Sequence, residues 1–224
     1  MAANAEPSLP MIILQVIESL AVVAATLVAV LGIGSWRAEV RGRREYELAE
    51  EVLALFYEAK DRIKFIRNPW TMTGEGRTRK PREGEPEEAK DALDQAHVVF
   101  ERYDKCRETF LRLHTLRFRF MATFGAEYEK PFEDLSKVVG EIFSAVAALG
   151  ILWRPRFDKF TTPEQDKERM AVVKEHEEVI WRDIGDPDET LKSVDDAIAE
   201  IEPKCRQILE RKPGWLDSVF GWFK

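Results

Sequence analysis

Hydrophobic and polar positions fall into two regimes along this chain. Met11 to Trp36, MIILQVIESLAVVAATLVAVLGIGSW, carries a single charged residue, Glu18. About 20 apolar residues cross a bilayer as a helix, so this run predicts a membrane span over 11–36. Beyond it the apolar residues recur at spacings of three and four, the mark of helices with one buried face. Leu48, Val52, Leu55, Phe56, Ala59, Ile63 and Ile66 form the first such stripe. No Pro or Gly interrupts Glu45 to Asn68, so the span is expected to run on into this helix, with Gly42 its one weak point. Asn68 and Pro69 stop it.

Residues 68–86, NPWTMTGEGRTRKPREGEP, read as a long polar connection, because Gly74, Gly76, Pro81, Gly84 and Pro86 forbid regular structure. A second helix is expected over 87–124 on Ala89, Leu93, Ala96, Val99, Phe100, Tyr103, Cys106, Phe110, Leu113, Leu116, Phe120 and Phe124, with Gly125 as its cap. A third, over 130–153, follows Phe132, Leu135, Val138, Val139, Ile142, Phe143, Val146 and Leu149. Thr162, Pro163 and Gln165 resemble a capping box that opens a fourth helix to about Ile184. That helix is poor in apolar residues and belongs at the edge of the bundle. Asp186, Pro187 and Glu189 repeat the start signal for a fifth, on Leu191, Val194, Ile198, Ile201, Cys205 and Leu209, with a kink expected at Pro203. The pattern contains no period-2 run bounded by turns. The expected fold is all-α: one N-terminal transmembrane helix, then an up-and-down bundle of four to five helices.

The expected organisation is a short extracytoplasmic tail (1–10), the span (11–36), a cytoplasmic bundle (37–212) with its polar loop at 68–86, and an aromatic C-terminal segment (213–224). Charge sets the orientation. Arg37, Arg41, Arg43 and Arg44 follow the span, whereas the N-terminal flank offers only Glu6. The positive-inside bias therefore places the N-terminus outside and the rest in the cytoplasm, most simply at a bacterial inner membrane. A cleaved signal peptide fits less well, because MAANAEPSLP lacks Lys and Arg and the apolar run is too long. The four arginines also suit anionic headgroups.

The chain has 224 residues, 33% of them charged and 45% hydrophobic, enough for one core-bearing domain after the anchor. Its net charge of -7 argues against nucleic acid as a partner. Gln15, Glu18, Ala21, Ala25, Ala29 and Gly32 share one face of the span, and the small residues permit close helix approach. That face suggests a homo-oligomer through the span. Alternatively the span starts near Ser19 and Glu18 sits at the outer interface, since Ser19 to Trp36 still provides about 27 Å of helix.

Chemistry-bearing patterns are weak. GEGRTRKPR (74–82) has two glycines and four basic residues, but neither GxxxxGK[ST] nor GxGxxG, so a solvated loop or a docking segment for an acidic partner is expected. His97, His114 and His176 belong to no ExxH or HExxH pattern. Asp94 and His97 make only a DxxH, His114 reads as a helix-interface residue and His176 as solvated. There is no GxSxG, and Cys106 and His114 lie about two helical turns apart. Cys106 and Cys205 form no CxxC and read as buried small apolar residues. The Arg and Phe interleaving of RLHTLRFRFM (112–121) follows the helical period and reads as one core face beside one charged face. No catalytic residues, metal ligands or cofactor are expected.

In the C-terminal segment, Trp215, Leu216, Val219, Phe220 and Phe223 would gather on one side of a helix. Such a segment leans on either the bilayer or the bundle. If the helices simply alternate, the fifth ends on the far side from the membrane, which favours the bundle. The function expected is a non-enzymatic tether holding an interaction module for a protein partner at the membrane. The alternative is a small membrane oligomer, channel-like or signal-transmitting, built on the Glu18 face.

Overall fold

The computed structural model describes residues 9–153, 162–182, 184 and 187–211. Every regular element among them is helical: α1 (Leu9–Ile66), α2 (Glu87–Phe124), a 3-10 turn (Ala126–Tyr128), α3 (Lys130–Leu152), α4 (Pro163–Ile180) and α5 (Glu189–Leu209). The chain divides into two compact units. The first takes in Met1–Glu47 and, from the other end, Arg211–Lys224; the second is Leu48–Glu210.

In the first unit, α1 is apolar and uncovered. Its most apolar window has none of its residues buried, and Leu14, Ile17, Leu20, Val23, Leu27 and Leu31 are all exposed. The helix is long and apolar enough to cross a membrane. It passes Gly42 without interruption and continues to Ile66.

In the second unit the expected stripe of α1 is buried at every position, from Leu48 to Ile66. α3 is the central helix, packed against α2, α4 and α5. This explains why α3 also has the length and apolarity of a span: a helix covered on several sides needs apolar residues on several sides. Phe56, Phe120 and Phe132 meet at the centre, with ring centroids 5.0 Å apart for Phe56–Phe132 and 5.9 Å for Phe120–Phe132. Such aromatic pairs contribute about 0.5–1.5 kcal/mol beyond their burial. The core face of 112–121 is present, since Leu113, Leu116 and Phe120 are buried. Cys106 and Cys205 are buried and free, and burial pushes the Cys205 thiol up to about 11.

The ends of the helices are where sequence reading and structure part. The capping box forms as expected: Thr162 and Gln165 exchange side-chain to backbone hydrogen bonds. Gly125 closes α2 at φ 122°, its N–H donating to the Met121 carbonyl. However, α4 stops at Ile180, not Ile184, because Trp181 turns to extended backbone. Arg67 then takes the freed carbonyls. Its guanidinium donates to Val179 O (2.7 Å), Glu178 O (2.8 Å) and Trp181 O (3.2 Å), and pairs with Asp188 at 2.9 Å. The start of α5 moves accordingly: its N-cap is Asp188, which accepts from the Leu191 amide, while Asp186 lies outside the described residues. α5 continues through Pro203 as a single helix to Leu209.

The expected alternation of helices also fails. Ion pairs and hydrogen bonds set α5 antiparallel to α1: Asp188 meets Arg67, Asp195 meets Lys60, and Glu202 and Arg206 meet Tyr57. As the α5 number rises the α1 number falls. α5 therefore ends beside the start of the buried stretch of α1, not at its far end.

Candidate functional site

Three places in the molecule gather polar or ligand-like features. The first is the exposed face of α1. Gln15, Glu18, Ala21, Ala25, Ala29 and Gly32 are all exposed on it, and a Cβ added at Gly32 would meet no other atom. The hydroxyls of Ser19 and Thr26 donate back to the carbonyls of Gln15 and Val22, each at 2.8 Å, so the helix satisfies these groups internally. Arg37, Arg41, Arg43 and Arg44 are exposed, and Arg43 pairs with Glu47 at 2.9 Å. The segment carrying Trp215, Leu216, Val219, Phe220 and Phe223 lies outside the described residues.

The second place is the 68–86 connection, which is irregular and mostly exposed, as expected, but is also pinned to the helical unit. The loop is folded onto α2 by Arg102, Asp94 and Glu101 of that helix. Arg102, 2% exposed, donates to the carbonyls of Ile66, Asn68 and Trp70 and to both oxygens of Glu75. It thereby caps the C-terminus of α1 while holding the loop. Arg79 reaches Glu85 with two nitrogens (2.7 and 2.6 Å) and Asp94 with its Nε at 2.5 Å. Glu101 accepts from the amides of Gly76 (2.9 Å) and Thr78 (3.0 Å) and from the Thr78 hydroxyl. Gly76 is buried at φ 83°, and a Cβ there would lie 2.6 Å from the Asp94 carbonyl oxygen, so only glycine fits.

Amides presented by a glycine turn are the elements of an anion cradle. In this loop the anion is the chain's own Glu101 carboxylate. His97 stands beside it, 3.3 Å from the Thr78 hydroxyl and 4.0 Å from Glu101. The DxxH pair is thus split between Arg79 and Thr78, and no three potential metal ligands converge among the described residues.

The hydrogen bonds from Arg102 hold the Glu75 carboxyl below the usual carboxylate range, against the opposing effect of burial. For Glu101, burial raises the carboxyl, but the Thr78 hydroxyl and the two amides outweigh it and the net shift is downward. The folded loop therefore binds fewer protons than the unfolded chain. Its stabilisation is complete above the ordinary value of 4.5 and is lost as pH falls through the lowered values. Thermal unfolding of the detergent-solubilised chain should show this directly. Glu101→Gln is expected to lower Tm at pH 7 and to flatten the further loss below pH 4.5; an unchanged acid slope would rule out this origin.

The third place is a groove of about 250 Å³ between α2 and α3, lined by Tyr103, Phe110, His114, Arg117, Leu135 and Val139 among others. It is slightly smaller than the roughly 300–1,000 Å³ of small-molecule sites. Its charge is already engaged: Arg117 lies 3.8 Å from both Glu129 and Glu133, with its guanidinium carbon 4.7 Å from the Phe118 ring centroid. His114 is exposed at the groove's rim, edge-on to Phe118, and is not buried between helices. His176 is half-buried on α4.

Sequence reading singled out none of Arg67, Glu75, Glu101 and Arg102. One signal existed for Arg102. Val98, Arg102, Cys106 and Thr109 recur at helical spacing and are all buried, marking a second covered face of α2. Comparison with known proteins returns no matching protein family, no matching curated protein and no matching solved structure.

Proposed function

We propose that this chain is a single-pass membrane tether: the first part of α1 spans the bilayer, N-terminus outside, and holds the helical unit on the cytoplasmic side as a non-enzymatic interaction module. The observation that carries the reading is the uncovered apolar window of α1, none of it buried, in a helix whose hydroxyls bond back to their own backbone. Hydrocarbon demands both properties of a spanning segment. The exposed arginines that follow supply the orientation.

The module reading rests on where the buried charges go. Arg67, Arg102, Glu75 and Glu101 are each committed to helix ends or loop amides. Such groups organise a rigid surface and leave none of these four charges for chemistry. The partner is a protein of unknown identity. A second reading, a small oligomer through the Glu18 face, is favoured by the open surface at Gly32 along the small-residue stripe.

The test is topology. A reporter fused after Lys224 should be active only in the cytoplasm, and the chain should resist extraction by high salt and alkali. Labelling of that terminus from outside intact cells would overturn the orientation, and release by alkali would overturn the span. In the same membranes, a crosslinked oligomer lost in Ala25→Leu would favour the second reading.

A further inference from the structure

We propose that the 68–86 loop is the docking surface of the helical unit, and that it takes an acidic segment of a partner protein with an apolar residue as its anchor. The inference rests on the tether-and-module reading and names the surface and the chemistry of its partner.

The loop carries more cations than its own folding uses. Glu75 is held by Arg102, and Arg79 by Glu85 and Asp94. Arg77, Lys80 and Arg82 are exposed, and among the described residues none of their side chains has a hydrogen bond or an ion pair. Glu83 is the one other charge of the loop. Three cations thus stand against one carboxylate, in a chain of net charge -7.

Apolar side chains accompany them. Trp70 and Met72 are 79% and 73% exposed. The Trp70 carbonyl accepts from Arg102, whose guanidinium carbon lies 5.9 Å from the ring centroid of the exposed Phe65. Phe65 and Trp70 therefore flank one fixed point. Exposed Trp, Met and Arg are the residue types that enrich interfaces and dominate their binding energy.

All of these groups are placed in advance. Arg77 sits between Gly76 and Thr78, whose amides both bind Glu101. Lys80 follows Arg79, which Asp94 holds two helical turns before Glu101. The loop is ordered on folding and not on binding, so a partner meets charges at set spacings without an ordering cost. Guanidinium groups pair with carboxylates through two parallel hydrogen bonds, which makes an acidic segment the fitting occupant. Three cations on an acidic chain are too few for nucleic acid. Within this unit α1 runs from Leu48 to Ile66, about 27 Å of helix, before the loop begins. The loop lies at the other end of that stretch from the unit's junction with the apolar part of α1, which favours a partner in solution over the bilayer.

The experiment uses the full chain in the membranes of its native cell, with a photocrosslinker introduced as Met72→benzoylphenylalanine. Leu111 and Met170, exposed on α2 and α4, carry the same group as references. Position 72 should capture a protein whose crosslinked peptide, read by mass spectrometry, contains a run of carboxylates. Combining Arg77→Glu, Lys80→Glu and Arg82→Glu should lower the yield about tenfold, and so should salt at about 1 M, where charges are screened within about 3 Å. Capture at 111 or 170 but not at 72 leaves the module reading standing and overturns the loop as its surface. Capture of lipid at 72 overturns the protein partner. A captured peptide without carboxylates, or a yield indifferent to the charge reversal, overturns the acidic segment. If no position captures a protein, the module reading fails and this inference falls with it.

Discussion

Arg67→Ala is expected to cost about 3–5 kcal/mol of folding stability, the usual penalty for removing one partner of a buried charged pair. The side chain is fully buried. Its loss leaves three carbonyls at the end of α4 without donors and the Asp188 carboxylate without its cation. Asp188 also caps α5, so two helix ends loosen together. Urea unfolding in detergent, followed by tryptophan fluorescence, reads this well because Trp153 and Trp181 stack 6.5 Å apart beside the site. The effect corresponds to a fall in Tm of about 10 °C. Arg67→Met combined with Asp188→Asn should recover part of the loss, since the double variant no longer buries an unpaired carboxylate. A cost below about 1 kcal/mol for Arg67→Ala would mean that water replaces the guanidinium and that the site is not sealed.

Arg102→Ala is expected to open the 68–86 loop locally before it unfolds the unit. Arg102 joins the end of α1 to both Trp70 O and Glu75. Removing it orphans these acceptors and leaves Glu75 half-neutralised by Lys105, 3.9 Å away and itself exposed. With a penalty of about 3 kcal/mol on the closed loop, the open population rises about a hundredfold, and proteolysis follows that population. Tryptic cleavage after Arg77, Lys80 or Arg82 should accelerate accordingly, while cleavage elsewhere in the described helices stays slow. Arg102→Lys should recover little, because one ammonium cannot reach the carbonyls and the carboxylate at once. Equal cleavage rates in wild type and Arg102→Ala would show that the loop is held by Arg79 and Glu101 instead.

Much of the helical layout was legible in the sequence, because it depends on neighbours three and four residues apart. The stripe from Leu48 to Ile66 is buried at each position read from its spacing, and Thr162 with Gln165 forms the box its residues announce. Apolarity over a whole circumference, as in the first part of α1, is likewise a property of a single segment. The buried ionic groups were not legible. A charged residue on a helix looks the same in sequence whether water or a carbonyl from a distant segment completes it.

Arg67 finds its partners on α4 and at the start of α5, more than a hundred residues away, and Glu101 finds the Gly76 amide 25 residues upstream. The sequence by itself thus determined the helices, their core faces and an apolar segment able to span a bilayer. Only the tertiary structure decided where α4 stops, which arginines close helix ends, how the loop is held, and that α5 returns along α1. The physical reason is that periodicity and capping act over one or two turns. Satisfying a buried carbonyl or carboxylate depends instead on which distant donor the packed chain brings within hydrogen-bonding distance.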